Sequence, residues 1–293
     1  MKSKKLNNLV TRALSGAVFV TVVIGSLLLH PYAAAAMMTA VIVWATLEFY
    51  KIVSSDKARA NRWIGVSCGS AIFAISFFYA KNVVSSDIFI FLIPLMMALF
   101  LGKLYTKDQC AFRSIAYTLA GIVYIALPFA LCTGMMFPPQ ENLNFEGRLL
   151  IPILSNYDNY LPDILFGFFI LLWANDTFAY LTGILIGRHR LFERISPKKS
   201  WEGFFGGLIG TAALSYLVAK IFPVLPVFHW AVMAAIIVIF GVYGDLIESL
   251  LKRNFEIKDS GRFLPGHGGI LDRFDSVFIA APMTYFYLKI FVF

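Results

Sequence analysis

Carboxylates, basic residues and glycines crowd into one stretch near the C-terminus. Residues 252–275 read KRNFEIKDSGRFLPGHGGILDRFD, with nine charged residues and four glycines in 24 positions. The mixture has a chemical logic. Glycines such as Gly268 and Gly269 let backbone N–H groups approach a phosphate closely. Lys252, Arg253, Lys258 and Arg273 can neutralise its charge. Aspartates such as Asp272 offer the oxygen ligands that Mg²⁺ shares with substrate phosphates. Together these are the parts of a metal–polyphosphate site. It is not a P-loop, because GxxxxGK[ST] does not occur. An ordinary basic loop at a membrane surface would explain the Lys and Arg residues, but not the glycines and regularly placed acids. His267 has two readings: a general base or phosphate contact, or a backbone hydrogen bond in a tight turn.

Two further clusters lie upstream. In GVYGDLIESLLKR, Asp245, Glu248 and Ser249 stand at i, i+3 and i+4, which places them on one helix face. Carboxylates at the end of an apolar helix are costly and mark a functional site by default; the bland alternative is a solvated interfacial patch. In LLWANDTFAYLTGILIGRHRLFERISPKKSWEG, Asp176 sits inside an apolar run, one turn before Tyr180. It reads as a metal or substrate ligand, or as a packing feature satisfied by Tyr180. Lys198 and Lys199 follow in a basic turn, where they suit a triphosphate or an anionic lipid headgroup; two lysines at a membrane surface are weak evidence alone. His30, His189 and His229 suggest no role.

The elements that must position these groups are membrane spans. Of 293 residues, 59% are hydrophobic and only 14% charged, against about 25% charged in soluble domains. Mean hydropathy is +0.75, and Phe alone accounts for 29 residues. The composition points to an all-α polytopic integral membrane protein. The net charge of +8 reports membrane topology before any nucleic acid partner, and none is expected. Cys68, Cys110 and Cys132 show neither disulfide nor zinc spacing. The first apolar run lacks a small-residue cleavage site, so no cleavable signal peptide is expected. Nine apolar segments are long enough to cross, near 13–30, 32–53, 63–81, 85–103, 112–137, 160–186, 201–221, 227–250 and 274–292. With the N-terminus in the cytoplasm and the C-terminus outside, 21 of the 25 Lys and Arg residues fall on the inner side, as the positive-inside rule requires. The chain divides into N-terminal spans (1–150) and a C-terminal catalytic membrane region (151–293) with cytoplasmic loops at 187–200 and 251–273.

The stretch from Ser249 to Asp275 resembles the signature of the phosphatidate cytidylyltransferases, or CDP-diacylglycerol synthases. Ser249, Leu251, Lys252-Arg253, Lys258-Asp259, Gly261, Leu264, Pro265, His267-Gly268-Gly269, Ile270, Asp272-Arg273, Phe274 and Asp275 fill every fixed place. SPKKSWEG, from Ser196 to Gly203, resembles a second block of that family. The resemblance covers roughly the last 120 residues; the first 150 match only as hydrophobic spans. One departure is Phe178, where many members carry a small residue, which puts packing near Asp176 in question.

The resemblance implies that phosphatidate and CTP give CDP-diacylglycerol and pyrophosphate. It implies a metal centre of Asp245, Ser249 and Asp272 for Mg²⁺, with K⁺ as a companion ion and Glu248 and Asp176 as second ligands or substrate contacts. Lys198, Lys199, Lys252, Arg253, Lys258 and Arg273 would hold the CTP phosphates or the lipid phosphate, with backbone donors at Gly268 and Gly269. The compact chain with its short basic N-terminus points to a bacterial inner-membrane enzyme, and the resemblance leaves a homodimer as an assembly option. Two rivals share some of these features. A CTP-dependent transferase or kinase acting on archaeol or polyprenol is disfavoured by the complete signature. An ion transporter using Asp176, Asp245 and Glu248 is disfavoured by the HGG–DRFD stretch and the lack of an inverted repeat.

Overall fold

The computed structural model describes residues 2–55, 58–106, 110–139, 141, 143, 159–261 and 268–293, with side chains described from residue 14 onward. The described chain is helical apart from one hairpin. Helix α1 spans Lys2–Leu29, α2 Pro31–Val53 and α3 Arg62–Ala80. A 3₁₀ segment, Ser86–Phe91, runs into α4, Leu92–Leu104. Helix α5 (Ala111–Gly121) passes through a π-helical segment (Ile122–Ala126) into α6 (Leu127–Met136). Pro128, just beyond, has no N–H to return to the carbonyl of Tyr124, which favours a wider turn there. After α7 (Asp163–Ile186) come strands β1 (Arg190–Phe192) and β2 (Ser196–Ser200), then α8 (Trp201–Ile221), α9 (Val227–Asn254) and α10 (Leu271–Phe291).

Seven helical runs among the described residues are long and apolar enough to cross a membrane: Pro31–Val53, Arg62–Ala80, Ser86–Leu104, Ala111–Met136, Asp163–Ile186, Trp201–Ile221 and Val227–Asn254. They coincide with the second to eighth segments expected from sequence. The protein is thus a polytopic helical membrane protein. The first expected span contributes a shorter apolar stretch, Leu14–Leu29. The ninth corresponds to α10, which carries Asp272, Arg273, Asp275 and Lys289.

Local signals explain the helix starts. His30 caps α2, its Nδ1 accepting from Tyr32 N at 3.1 Å, with Pro31 in the first turn. Asn61 Oδ1 caps α3 by accepting from Ile64 N at 3.2 Å. Ser200 caps α8, its Oγ accepting from Gly203 N at 3.1 Å. In the first turn of α8, Glu202 accepts from the backbone N–H groups of Arg188 and His189 and meets His189 Nδ1 at 2.6 Å. His189, assigned no role from sequence, thus ties the hairpin to α8.

Strand and helix reach further into the polar stretches than the sequence suggests. The basic turn after α7 is an antiparallel hairpin, with Arg190 opposite Ser200. The C-terminal loop is shorter than 251–273, because α9 runs to Asn254 and α10 begins at Leu271. Lys252 and Arg253 therefore close α9, and Asp272 and Arg273 open α10.

The chain forms two compact units. The first comprises Met1–Thr133 with Asn254–Phe274, and the second Gly134–Arg253 with Asp275–Phe293. In the first, the fully buried Tyr50 ring fills the space left by Gly65 and Gly121, and its hydroxyl donates to Thr118 O at 2.7 Å. In the second, α7 and α8 pack closely along a row of small residues. A Cβ at Gly203, Gly206, Gly207 or Gly210 would run into Ala179 O, Thr182, Asn175 and Phe178 respectively. Small residues at this spacing let membrane helices approach backbone to backbone. The Phe178 ring, the departure noted in the sequence, is accommodated by the missing side chain of Gly210.

Candidate active site

The α7–α8 seam forms one wall of a cavity of about 670 Å³ in the second unit. Asn175, Asp176, Ala179 and Tyr180 reach it from α7. Arg190, Ser196, Lys198 and Lys199 come from the hairpin, Gly203 and Phe204 from α8, Val242 and Asp245 from α9, and Ser276 from α10. Four residues singled out from sequence, Asp176, Lys198, Lys199 and Asp245, thus line one cavity although they come from three elements.

The centre of this arrangement is an ion pair. Lys199 Nζ lies 2.6 Å from Asp245 Oδ2. Ser249 donates to Asp245 Oδ1 at 3.2 Å, so the i, i+4 pairing expected on α9 is realised. Asp275 lies within electrostatic reach of Asp245, Asp176 and Lys199. Asn175 is 3% exposed, and its Oδ1 has no hydrogen-bond partner. The cavity therefore combines anionic oxygen donors, one buried neutral oxygen and a placed ammonium, with Arg190 and Lys198 on the same lining. Such a set can bind a polyanion and a hard cation together. Among the described residues, no group of three or more His, Cys, Asp or Glu side chains converges to hold a metal ion.

Glu248 is placed differently. It is fully buried, and Lys252 Nζ stands 2.5 Å from its Oε2 one helical turn on. Neither residue lines the cavity. Glu248→Gln should therefore act on stability. Removing one partner of a buried pair costs about 3–5 kcal/mol, which a melting curve of the detergent-purified protein would show. An unchanged curve would refute this assignment.

A second polar cluster belongs to the first unit. Asp272 Oδ2 accepts from Ser260 N at 3.1 Å, Ser260 Oγ at 2.8 Å and Gly269 N at 2.9 Å. Glu48 Oε2, from α2, accepts from Leu271 N at 2.9 Å and lies 3.3 Å from Ser260 Oγ. Gly268 has φ +82°, and a Cβ there would stand 2.6 Å from Asp272 Oδ2. A Cβ at Gly261 or Gly269 would overlap the Glu48 carboxylate. These glycines thus make room for the two acids, and the Gly269 N–H is spent on Asp272. Arg253, Lys258 and Arg273 are exposed. His267 lies outside the described residues.

Sequence reasoning missed Glu48 and Ser260, left Asp275 without a role and passed over Asn175. A signal for Glu48 existed: it is the one acid of the apolar run 32–53, and acids in such runs are costly.

Comparison with known proteins agrees with these observations. The chain matches the family model described as "Cytidylyltransferase family" over residues 10–291. A phosphatidate cytidylyltransferase of Staphylococcus epidermidis is 41% identical over 180 residues, which is 61% of this chain and 60% of that protein. The chain thus spans less than two thirds of that relative. A phosphatidate cytidylyltransferase of Bacillus subtilis is 34% identical over 219 residues, 74% of this chain and 72% of that protein. A match running over residues 10–291, through the helices that carry Asp176 and Asp245 and the hairpin that carries Lys199, means that the chain belongs to the cytidylyltransferase family.

Proposed function

We propose that the protein transfers CMP from CTP to phosphatidate, giving CDP-diacylglycerol and pyrophosphate. The observation that carries this reading is the Lys199–Asp245 contact at 2.6 Å in a cavity whose lining holds both anionic and cationic side chains. The names of the Staphylococcus and Bacillus relatives support the choice of substrates. In the reaction a phosphatidate phosphate oxygen bonds to the α-phosphorus of CTP. The bond from that phosphorus to the bridging oxygen breaks, and pyrophosphate leaves with the electron pair. The lipid phosphate is largely ionised near neutral pH, given a second pKa of about 6, so no strong general base is required. Such transfers depend on positioning and on electrostatic stabilisation.

The residues fit the divalent cation that this reading requires. The donors are hard oxygens, and a lysine ammonium already stands where a cation is welcome. Mg²⁺ commonly binds through one or two carboxylates plus substrate phosphates and keeps several waters, so a closed cage is not needed. Asp245 and Ser249 would hold it, with Asp176 as a further contact; the family signature adds Asp272, and K⁺ is a companion. When bound, the ion would offset the charge gathering on the leaving pyrophosphate. Lys198, Lys199 and Arg190 would neutralise substrate phosphates, and Arg253, Lys258, Arg273 and Gly268 remain candidate phosphate contacts from the signature, whereas Lys252 is engaged by Glu248 and the Gly269 N–H by Asp272.

The same reading places nine spans in a bacterial inner membrane, N-terminus inside and C-terminus outside, with α1 as the first span and α10 as the ninth. CTP then arrives from the cytoplasm while phosphatidate stays in the bilayer. A homodimer is the assembly proposed.

The test is pyrophosphate release by purified protein given phosphatidate, CTP and Mg²⁺, with Asp272→Asn alongside. Release should require both substrates and the cation, and the variant should lose about 10²–10³-fold while staying folded. Release of CDP instead of pyrophosphate would sink the reading in favour of a lipid kinase.

A further inference from the structure

Glu48 lies in α2, more than 200 positions from the acids that the signature marks, and nothing assigns it a role. Its carboxylate nevertheless touches two groups that set the geometry of Asp272. Leu271, the first residue of α10, donates its backbone N–H to Glu48 Oε2 at 2.9 Å. That N–H belongs to the first turn, where no helical carbonyl is available to receive it, so Glu48 caps α10 from another helix. Ser260 Oγ is 3.3 Å from the same oxygen and 2.8 Å from Asp272 Oδ2. The hydroxyl thus stands between the two carboxylates, its single proton given to the nearer, Asp272, or shared between them. Asp272 immediately follows Leu271, so the capped N–H and the bridging hydroxyl together fix where its carboxylate begins and how it turns. The crowding at Gly261 and Gly269, where a Cβ would overlap Glu48, shows that the surrounding chain is shaped to admit this side chain.

We propose that Glu48 is a positioning residue for Asp272. It holds the first turn of α10 and the Ser260 hydroxyl so that the Asp272 carboxylate presents one orientation to the cation. The inference rests on the cytidylyltransferase reading for Asp272's role in the reaction, while the Glu48–Ser260–Asp272 arrangement stands on its own distances. Groups that orient a metal-binding carboxylate typically change metal affinity or activity by 10–100-fold when removed.

The test uses the full-length protein in detergent with two readouts. The first is Mn²⁺ binding, followed by the loss of the free-ion EPR signal. The second is pyrophosphate release as a function of Mg²⁺. Glu48→Ala should weaken Mn²⁺ binding and raise the half-saturating Mg²⁺ concentration by about 10-fold or more, with little change in the KM for CTP. Glu48→Gln, which keeps an acceptor oxygen at the same reach, should restore most of both. In the Asp272→Asn background, Glu48→Ala should add little, because coupled residues are not additive. A folded Glu48→Ala protein with lower melting temperature but wild-type Mn²⁺ affinity and Mg²⁺ dependence would overturn the proposal, leaving Glu48 a structural cap. Where Glu48→Ala does not fold, Glu48→Gln and Ser260→Ala carry the test. Ser260→Ala removes the bridging hydroxyl alone and should shift Mn²⁺ affinity in the same direction; wild-type affinity there would refute the bridge. If the wild-type protein releases no pyrophosphate, the cytidylyltransferase reading fails, and the Mn²⁺ comparison still decides the role of Glu48.

Discussion

Asp245→Asn should reduce pyrophosphate release by about 10²–10³-fold, the usual cost of deleting one electrostatic group aimed at a reacting centre, without unfolding the protein. The substitution keeps size and one acceptor oxygen, so the Ser249 hydroxyl, now 3.2 Å from Oδ1, retains a partner. What it removes is the charge facing Lys199 Nζ at 2.6 Å. Asp245 is half-buried, which leaves its field less screened than at an open surface. Lys199, freed of its counter-charge, would bind CTP phosphates no worse, so the loss should appear in kcat more than in the KM for CTP. Raising Mg²⁺ should recover part of it if the carboxylate is a cation ligand. A variant retaining more than about a tenth of wild-type turnover would show that Asp245 merely pairs with Lys199, since a removed electrostatic contact at the reacting centre costs more than that.

The sequence reading succeeds where a rule acts locally and fails where the fold decides. Asp245 and Ser249 meet because residues four apart share a helix face. Glu248, three apart from Asp245, obeys the same rule by count. Yet it turns into the interior, where Lys252 at i+4 receives it; only packing settles which side of the face is lined by the cavity. The seven spans were legible because about 20 apolar residues are needed to cross a bilayer. The hairpin was not, because Pro197 within five residues of strand reads as a turn. The gathering of Asp176, Lys199 and Asp245 around one cavity depends on how α7, the hairpin and α9 pack, and no spacing encodes that. The Glu48–Ser260–Asp272 contact spans 224 positions in the chain. The glycines near Asp272 were read as openings for phosphate, and the structure shows Gly268 and Gly269 also yielding space to carboxylates.

Gly207→Leu should abolish most activity and lower the melting temperature, although Gly207 carries no chemistry. A Cβ there would stand 2.5 Å from Asn175 Oδ1 and 3.2 Å from the Ala179 Cβ, and both residues line the cavity. The nearby backbone oxygen of Asn175, at 3.5 Å, limits how far the chain can yield by side-chain rotation alone. The helices must then separate, and overpacking of this kind costs about 1–3 kcal/mol. Function should fall as well as stability, because Asp176 rides on α7 next to Asn175. A displacement of about 1 Å at a reacting group can cost 10²-fold in rate. Gly25→Leu provides the contrast. Gly25 sits inside α1 with nothing within 4 Å of an added Cβ, so the same substitution should leave both melting temperature and turnover near wild type. Equal effects at the two positions would mean that leucine harms this protein through the membrane rather than through the α7–α8 seam. Damage at Gly207 alone would show that the distance between those two helices is what keeps Asp176 in register with Lys199 and Asp245.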